Sequence, residues 1–169
     1  MVENDFITLA HSVIENWRNE NVPLNAGATD DELLAFEKRF ALTLPPDFRY
    51  FYSLVNGMTD YLTDEYLFSL WPLEEIAKAI EISRSCSEER DEETSVEDRA
   101  VEKIRQPLAN RKIEIAFGDV LIDSWRYLLC EDEEGRFFVS SQVKPGERLA
   151  DSFGHFLQRY SNEPEKIYL

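Results

Sequence analysis

The sequence predicts an α+β domain with helices packed on a mainly antiparallel sheet. Two observations carry this reading: the order of periodic segments is helices, strand, helix, strands and helix, and the strand-like segments of the second half are joined by a turn signal that suits a hairpin. A chain of 169 residues fits one domain, and 11 Phe, 7 Tyr and 3 Trp supply large side chains for its core. We therefore read residues 1–169 as a single domain.

Phe6, Leu9, Ala10, Val13 and Trp17 recur at three- and four-residue intervals, which predicts a helix from about Glu3 to Glu20. Asn21 to Ala28 holds Pro23 and Gly27 and reads as a connection. Thr29-Asp30-Asp31-Glu32 has the form of a capping box, in which hydroxyl and carboxylate satisfy the free amides of a helix start. The helix that follows would bury Leu33, Phe36 and Phe40. Leu44-Pro45-Pro46-Asp47 ends that run and opens another, because proline lacks an amide proton and is tolerated in the first turn. Phe48, Phe51, Tyr52 and Val55 form its apolar stripe, and Asn56-Gly57 is expected to close it as a left-handed C-terminal cap.

A turn around Thr59 to Asp64 leads to a short strand candidate, Tyr66-Leu67-Phe68-Ser69-Leu70, and Trp71-Pro72 opens a helix from Leu73 to about Ile82. Residues 84–99 then carry seven acids against three arginines with few apolar anchors, and we expect an acidic, mobile insertion there. Ile113, Ile115 and Phe117 alternate with Glu114 and Ala116 before Gly118-Asp119, as a half-buried strand would. Trp125 to Cys130 and Arg136 to Ser140 flank Glu133-Glu134-Gly135 and should pair as an antiparallel hairpin. Leu149, Phe153, Phe156, Leu157 and Tyr160 mark a C-terminal helix.

Charge narrows the function. Asp and Glu number 34 against 18 Lys and Arg, a formal charge of -16, which works against binding nucleic acid and favours a basic partner. The acidic start at Met1-Val2-Glu3-Asn4-Asp5 is unlike a signal peptide, and no stretch approaches the roughly 20 apolar residues of a membrane span, so we expect a cytoplasmic protein. Cys86 and Cys130 form no C-x-x-C pair and are expected to be reduced thiols.

The search for chemistry yields no catalytic residue, cofactor site or metal site. His11 and His155 lie in separate terminal helices outside any ligand-spaced cluster, and no nucleophile elbow or phosphate-binding glycine loop occurs. Asp60 with Asp64, and Asp119 with Asp123, could serve acid/base work or hold a divalent cation, but their spacing fails the calcium-loop pattern and such pairs arise readily among 34 acids.

Ala28-Thr29-Asp30-Asp31-Glu32-Leu33, Glu37, Leu44-Pro45-Pro46-Asp47-Phe48, Phe51 and Asn56-Gly57 together resemble the signature of the SUKH superfamily. Leu70-Trp71-Pro72-Leu73-Glu74-Glu75-Ile76, Ile115-Ala116-Phe117-Gly118-Asp119, the hairpin through Tyr127 and the Ser152-Phe153 helix extend the resemblance over nearly the whole chain. The 84–99 stretch and Leu128-Leu129-Cys130-Glu131-Asp132, in place of a leucine-aspartate strand ending, depart from it. The family joins yeast cell-wall regulators to bacterial immunity proteins and generally has no known catalysis. The resemblance thus implies a SUKH-like fold and a non-enzymatic, protein-binding role: an immunity protein that neutralises a bacterial toxin, for instance a basic nuclease, by direct binding. A regulatory adaptor or scaffold of the same fold is the alternative, and a carboxylate-dependent hydrolase the third reading.

The motif residues read as fold determinants, so the contacts must be sought elsewhere. We expect exposed acids around the sheet and its loops to meet the partner, with Asp119, Asp123 and Glu131 as the acids and Trp125 as an aromatic anchor.

Overall fold

The computed structural model describes residues 3–88, 113–120, 125–144 and 147–164. Its elements are α1 (Glu3–Asn19), β1 (Leu24–Ala26), α2 (Asp30–Phe40), α3 (Pro46–Leu54), β2 (Val55–Met58), a 3₁₀ turn (Thr59–Tyr61), β3 (Phe68–Leu70), α4 (Leu73–Glu88), β4 (Ile113–Val120), β5 (Trp125–Glu131), β6 (Phe137–Ser141) and α5 (Phe153–Asn162). Among the described residues the strands form two sheets, β1-β2 and β3-β4-β5-β6, with every pair antiparallel. The α+β architecture expected from the sequence is the one observed.

Local chemistry sets the helix boundaries. Thr29 and Glu32 complete a reciprocal capping box, with the Thr29 amide donating to Glu32 Oε2 at 2.7 Å and the Glu32 amide donating to Thr29 Oγ1 at 3.3 Å. Pro45 and Pro46 sit at the start of α3, where a missing amide proton costs nothing. The first amides of α5 are met from two sides. Ser152 Oγ accepts from His155 N, while Asp47 Oδ2, at the start of α3, accepts from Gly154 N at 2.8 Å.

Asn56-Gly57 acts differently from the expected helix cap. α3 ends at Leu54 with an extended Val55, and Asn56 and Gly57 belong to β2, paired with β1. Gly57 does adopt φ +75°, and a Cβ there would lie 2.3 Å from Pro72 N and 2.6 Å from Trp71 C. The glycine is needed so that β2 can pass against the chain entering α4. Asn56 serves the same junction, its Oδ1 accepting from the first amide of α4, Leu73 N, at 2.9 Å.

Other boundaries also differ from the sequence reading: β3 begins only at Phe68, so Tyr66 and Leu67 of the expected strand lie in the loop before it. The connection after α1 contains β1, whose Leu24 stands opposite Met58, a pairing too short to leave a period in the sequence. Helix α4 runs on past Ile82 to Glu88, so Arg84–Glu88 of the expected insertion are helical and the rest of 84–99 lies outside the described residues.

One core draws on every helix of the described residues. Phe68, Phe117 and Tyr127 on the inner face of the four-stranded sheet meet Phe48 of α3 and Phe153, Phe156 and Tyr160 of α5. Ring centroids lie 5.0 Å apart for Tyr127 and Phe156 and 5.4 Å for Phe117 and Phe153, within the range of favourable edge and offset contacts. On the opposite face Leu128, Cys130 and Phe138 form a second buried cluster against Ala116, and the Arg148 guanidinium lies 4.4 Å over the Phe138 ring. Burial on both faces explains the unbroken apolar run Tyr127-Leu128-Leu129-Cys130. Cys130 is a buried thiol outside any disulfide. Among the described residues no helix is long and apolar enough to cross a membrane.

Candidate protein-binding surface

The four residues expected to meet a partner do not form one patch. Asp119 lies within β4, opposite Ser69 of β3 on one side and Arg126 of β5 on the other, and is only 4% exposed. The strand continues through Gly118-Asp119 instead of ending there, and its register sets the carboxylate beside a basic cross-strand neighbour. Trp125 opens β5, half-buried opposite Val120 and packed on the core. Glu131 ends the same strand, six residues and roughly 20 Å away at about 3.3 Å per residue. Asp123 lies outside the described residues.

Glu131 borders a groove of about 430 Å³ between α2 and the hairpin, with Leu34, Ala41, Leu42 and Phe137 as its apolar walls. Its polar wall includes Glu37, which is committed to the fold: Oε1 accepts from Leu44 N at 2.9 Å and Oε2 from Arg49 at 2.7 Å. A smaller cleft of about 200 Å³ lies where β2 meets α4, lined in part by Asp60, Ser69, Trp71 and Glu75. Trp71 is 5% exposed, and its indole nitrogen has no hydrogen-bond partner.

The third cleft, about 340 Å³, opens between the end of α1, the loop before β3 and α5. Beside it lies a buried polar hub that sequence reasoning treated only as half of a carboxylate pair. Trp17 Nε1 donates to Asp64 Oδ2 at 3.2 Å and to the Tyr160 hydroxyl at 2.9 Å, and that hydroxyl donates to Asp64 Oδ2 in turn. Asp64 Oδ1 accepts from the amides of Tyr66 at 2.9 Å and Phe68 at 3.0 Å. Burial pushes the Asp64 carboxyl up to about 6 despite these donors, which favour the ionised form, and the nearby Glu20 charge adds to the rise. A raised carboxyl near a cleft can mark a general acid. Here both oxygens are engaged by structural donors, so the hub ties α1, the loop and α5 together.

Nothing else in the described residues assembles for chemistry. Asp60 is exposed while Asp64 is buried, so the pair does not converge. Among the described residues no group of three or more His, Cys, Asp or Glu is placed to hold a metal. His11 lies 3.4 Å from the Tyr50 hydroxyl and His155 3.7 Å from Asp151, each in its own helix.

A search of curated proteins returns no match. The family model described as SMI1 / KNR4 family (SUKH-1) matches residues 27–159. That span holds the Thr29 box, the Pro45-Pro46 helix start, the Asn56-Gly57 junction, the four-stranded sheet and most of α5, while α1 and β1 precede it. The match covers well over half of the chain, and its motif residues occupy structural positions throughout: the chain belongs to the SMI1 / KNR4 family (SUKH-1).

Proposed function

We propose that the chain is a cytoplasmic binding domain, an immunity protein that neutralises a toxin by direct contact. Its membership of the SMI1 / KNR4 family (SUKH-1) is the observation that carries this reading. The charge of -16 supports a basic partner in particular. A nuclease presents cations to a polyanionic substrate, so an acidic inhibitor can attract it from a distance and cover its substrate surface. Of the residues expected to take part, Glu131 and Trp125 are half-exposed, whereas Asp119 can contribute only through the order of the sheet.

The test is co-purification of the tagged chain from its native host, together with the identity of the neighbouring genes. The proposal expects a basic toxin bound directly and encoded nearby, with its activity suppressed in the complex. Recovery of an acidic or neutral signalling protein would favour a regulatory scaffold and contradict the immunity reading.

A further inference from the structure

Six large apolar residues are exposed among the described residues, and three of them fall in one short loop: Leu62 at 46%, Tyr66 at 40% and Leu67 at 44%. Scattered exposed leucines need no explanation, but three large apolar side chains on one six-residue loop concentrate exposed apolar surface there. The loop is also firmly built. The Asp64 amide donates to Phe68 O and the Leu67 amide to Asp64 O, both at 3.0 Å, and Asp64 Oδ1 holds the next two free amides from within. Glu20 Oε2, at the end of α1, accepts from Glu65 N at 3.2 Å.

Leu67 adopts φ +61°. Among the described residues the other non-glycine positions with positive φ are Asn21 and Asp60, whose short polar side chains tolerate that region, and Ala41, which caps α2. A glycine at 67 would satisfy the turn at lower cost, yet a large apolar side chain is held there facing outward.

Two acids, Glu20 and Glu65, lie beside Tyr66 in the neighbouring cleft. Some exposed acids are ion-paired, such as Glu15 with Arg18 and Glu74 with Lys78. Glu20 and Glu65 enter no ion pair among the described residues, and both line the 340 Å³ cleft beside Tyr66. An apolar centre with a charged rim is the anatomy of a protein interface, and a fixed loop reduces the ordering cost of binding.

We infer that this surface docks a basic protein, with Leu62, Tyr66 and Leu67 as apolar anchors and with Glu20 and Glu65 receiving a lysine or arginine side chain in the cleft. The inference rests on the reading that the partner is a basic protein, and it moves the contact from the sheet to the loop before β3. A second copy of this chain is a poor occupant, because it would set one acidic rim against another. Glu20 and Trp17 precede the span matched by the family model, so this surface is built partly from chain outside it.

The probe is a pair of capped pentapeptides of equal charge, Arg-Leu-Arg-Leu-Arg and Arg-Gly-Arg-Gly-Arg, titrated into the full chain and followed by backbone amide NMR. We expect shifts centred on Glu20 and Glu65–Leu67, with the leucine peptide binding about tenfold more tightly, since apolar anchors dominate such contacts. Leu62→Ser/Leu67→Gly should remove that preference at unchanged net charge, while Glu133→Gln, a control in the distant hairpin turn, should leave it intact. The altered side chains are exposed, and a melting curve confirms folding. Equal binding of the two peptides, shifts centred on the Glu131 groove, or a double variant that binds like wild type would each overturn the inference. So would concentration-dependent shifts at these amides without peptide. Should a native basic partner bind the double variant as tightly as wild type, the surface assignment falls while the partner reading stands. Should no basic partner be recovered, the partner reading falls and the peptide preference still decides the surface.

Discussion

The stability of this chain should carry a pH signature written by Asp64. Burial among Trp17, Tyr160 and the β3 loop raises its carboxyl from an ordinary 3.8 to about 6, so the folded chain keeps this proton at pH values where the unfolded chain has lost it. The stabilisation is fully present below about pH 4 and is lost as pH rises through about 6. The gap amounts to about 3 kcal/mol in total, of which between about 1 and 2 kcal/mol falls between about pH 5 and about pH 7.5. Other carboxylates act in the opposite sense. Hydrogen bonds to Thr29 hold Glu32 low, and the Arg136 amide, with the Arg148 and Arg136 side chains, holds Asp132 well below the usual range. The test is therefore a difference. Urea unfolding of wild type and Asp64→Asn, followed by tryptophan fluorescence across that pH range, isolates the contribution of Asp64 because asparagine does not titrate. Loss of a hydrogen bond in the variant shifts the difference by a constant, whereas the carboxyl gives it a slope. We expect wild type to lose between about 1 and 2 kcal/mol relative to the variant as pH rises. A flat difference, or one of opposite sign, would refute the assignment of a desolvated carboxyl.

Gly57→Ala should cost about 2 kcal/mol or more, because it adds left-handed strain and forces a Cβ against the Pro72 backbone; an unchanged denaturant midpoint would mean β2 passes α4 less closely. Trp17→Phe should cost about 1–3 kcal/mol more than Trp71→Phe, since the first removes a donor from two buried acceptors and the second an indole N–H without a partner; equal midpoints would contradict the hub.

The parts of the fold legible in the sequence are those in which neighbouring residues decide the outcome. The Thr29 box, the proline start of α3 and the hairpin turned at Gly135, with φ +77°, each depend on a few adjacent residues. Asn56-Gly57 was informative but ambiguous, because a positive-φ glycine suits either a helix cap or a close approach of two segments, and only the position of Trp71-Pro72 distinguishes them. The contacts of the hub were hidden for a related reason. Asp64 meets Trp17 from 47 residues before it and Tyr160 from 96 residues after it, and no spacing rule spans such distances. Nor did alternation reveal the burial of Asp119, since that depends on the register which places Arg126 opposite it. The loop from Leu62 to Leu67 read as a turn entering a strand, and its outward apolar side chains emerge only once Asp64 is seen to fix it from within.

We propose that electrostatic attraction brings this acidic domain to a basic protein. The most direct test is the association rate of the chain with a partner co-purified from the native host, measured from about 0.1 M to about 1 M salt as the Debye length falls from about 10 Å to about 3 Å. We expect a basic partner whose association slows steeply with salt while dissociation changes much less. An association rate indifferent to salt, or a partner that is itself acidic, would contradict it.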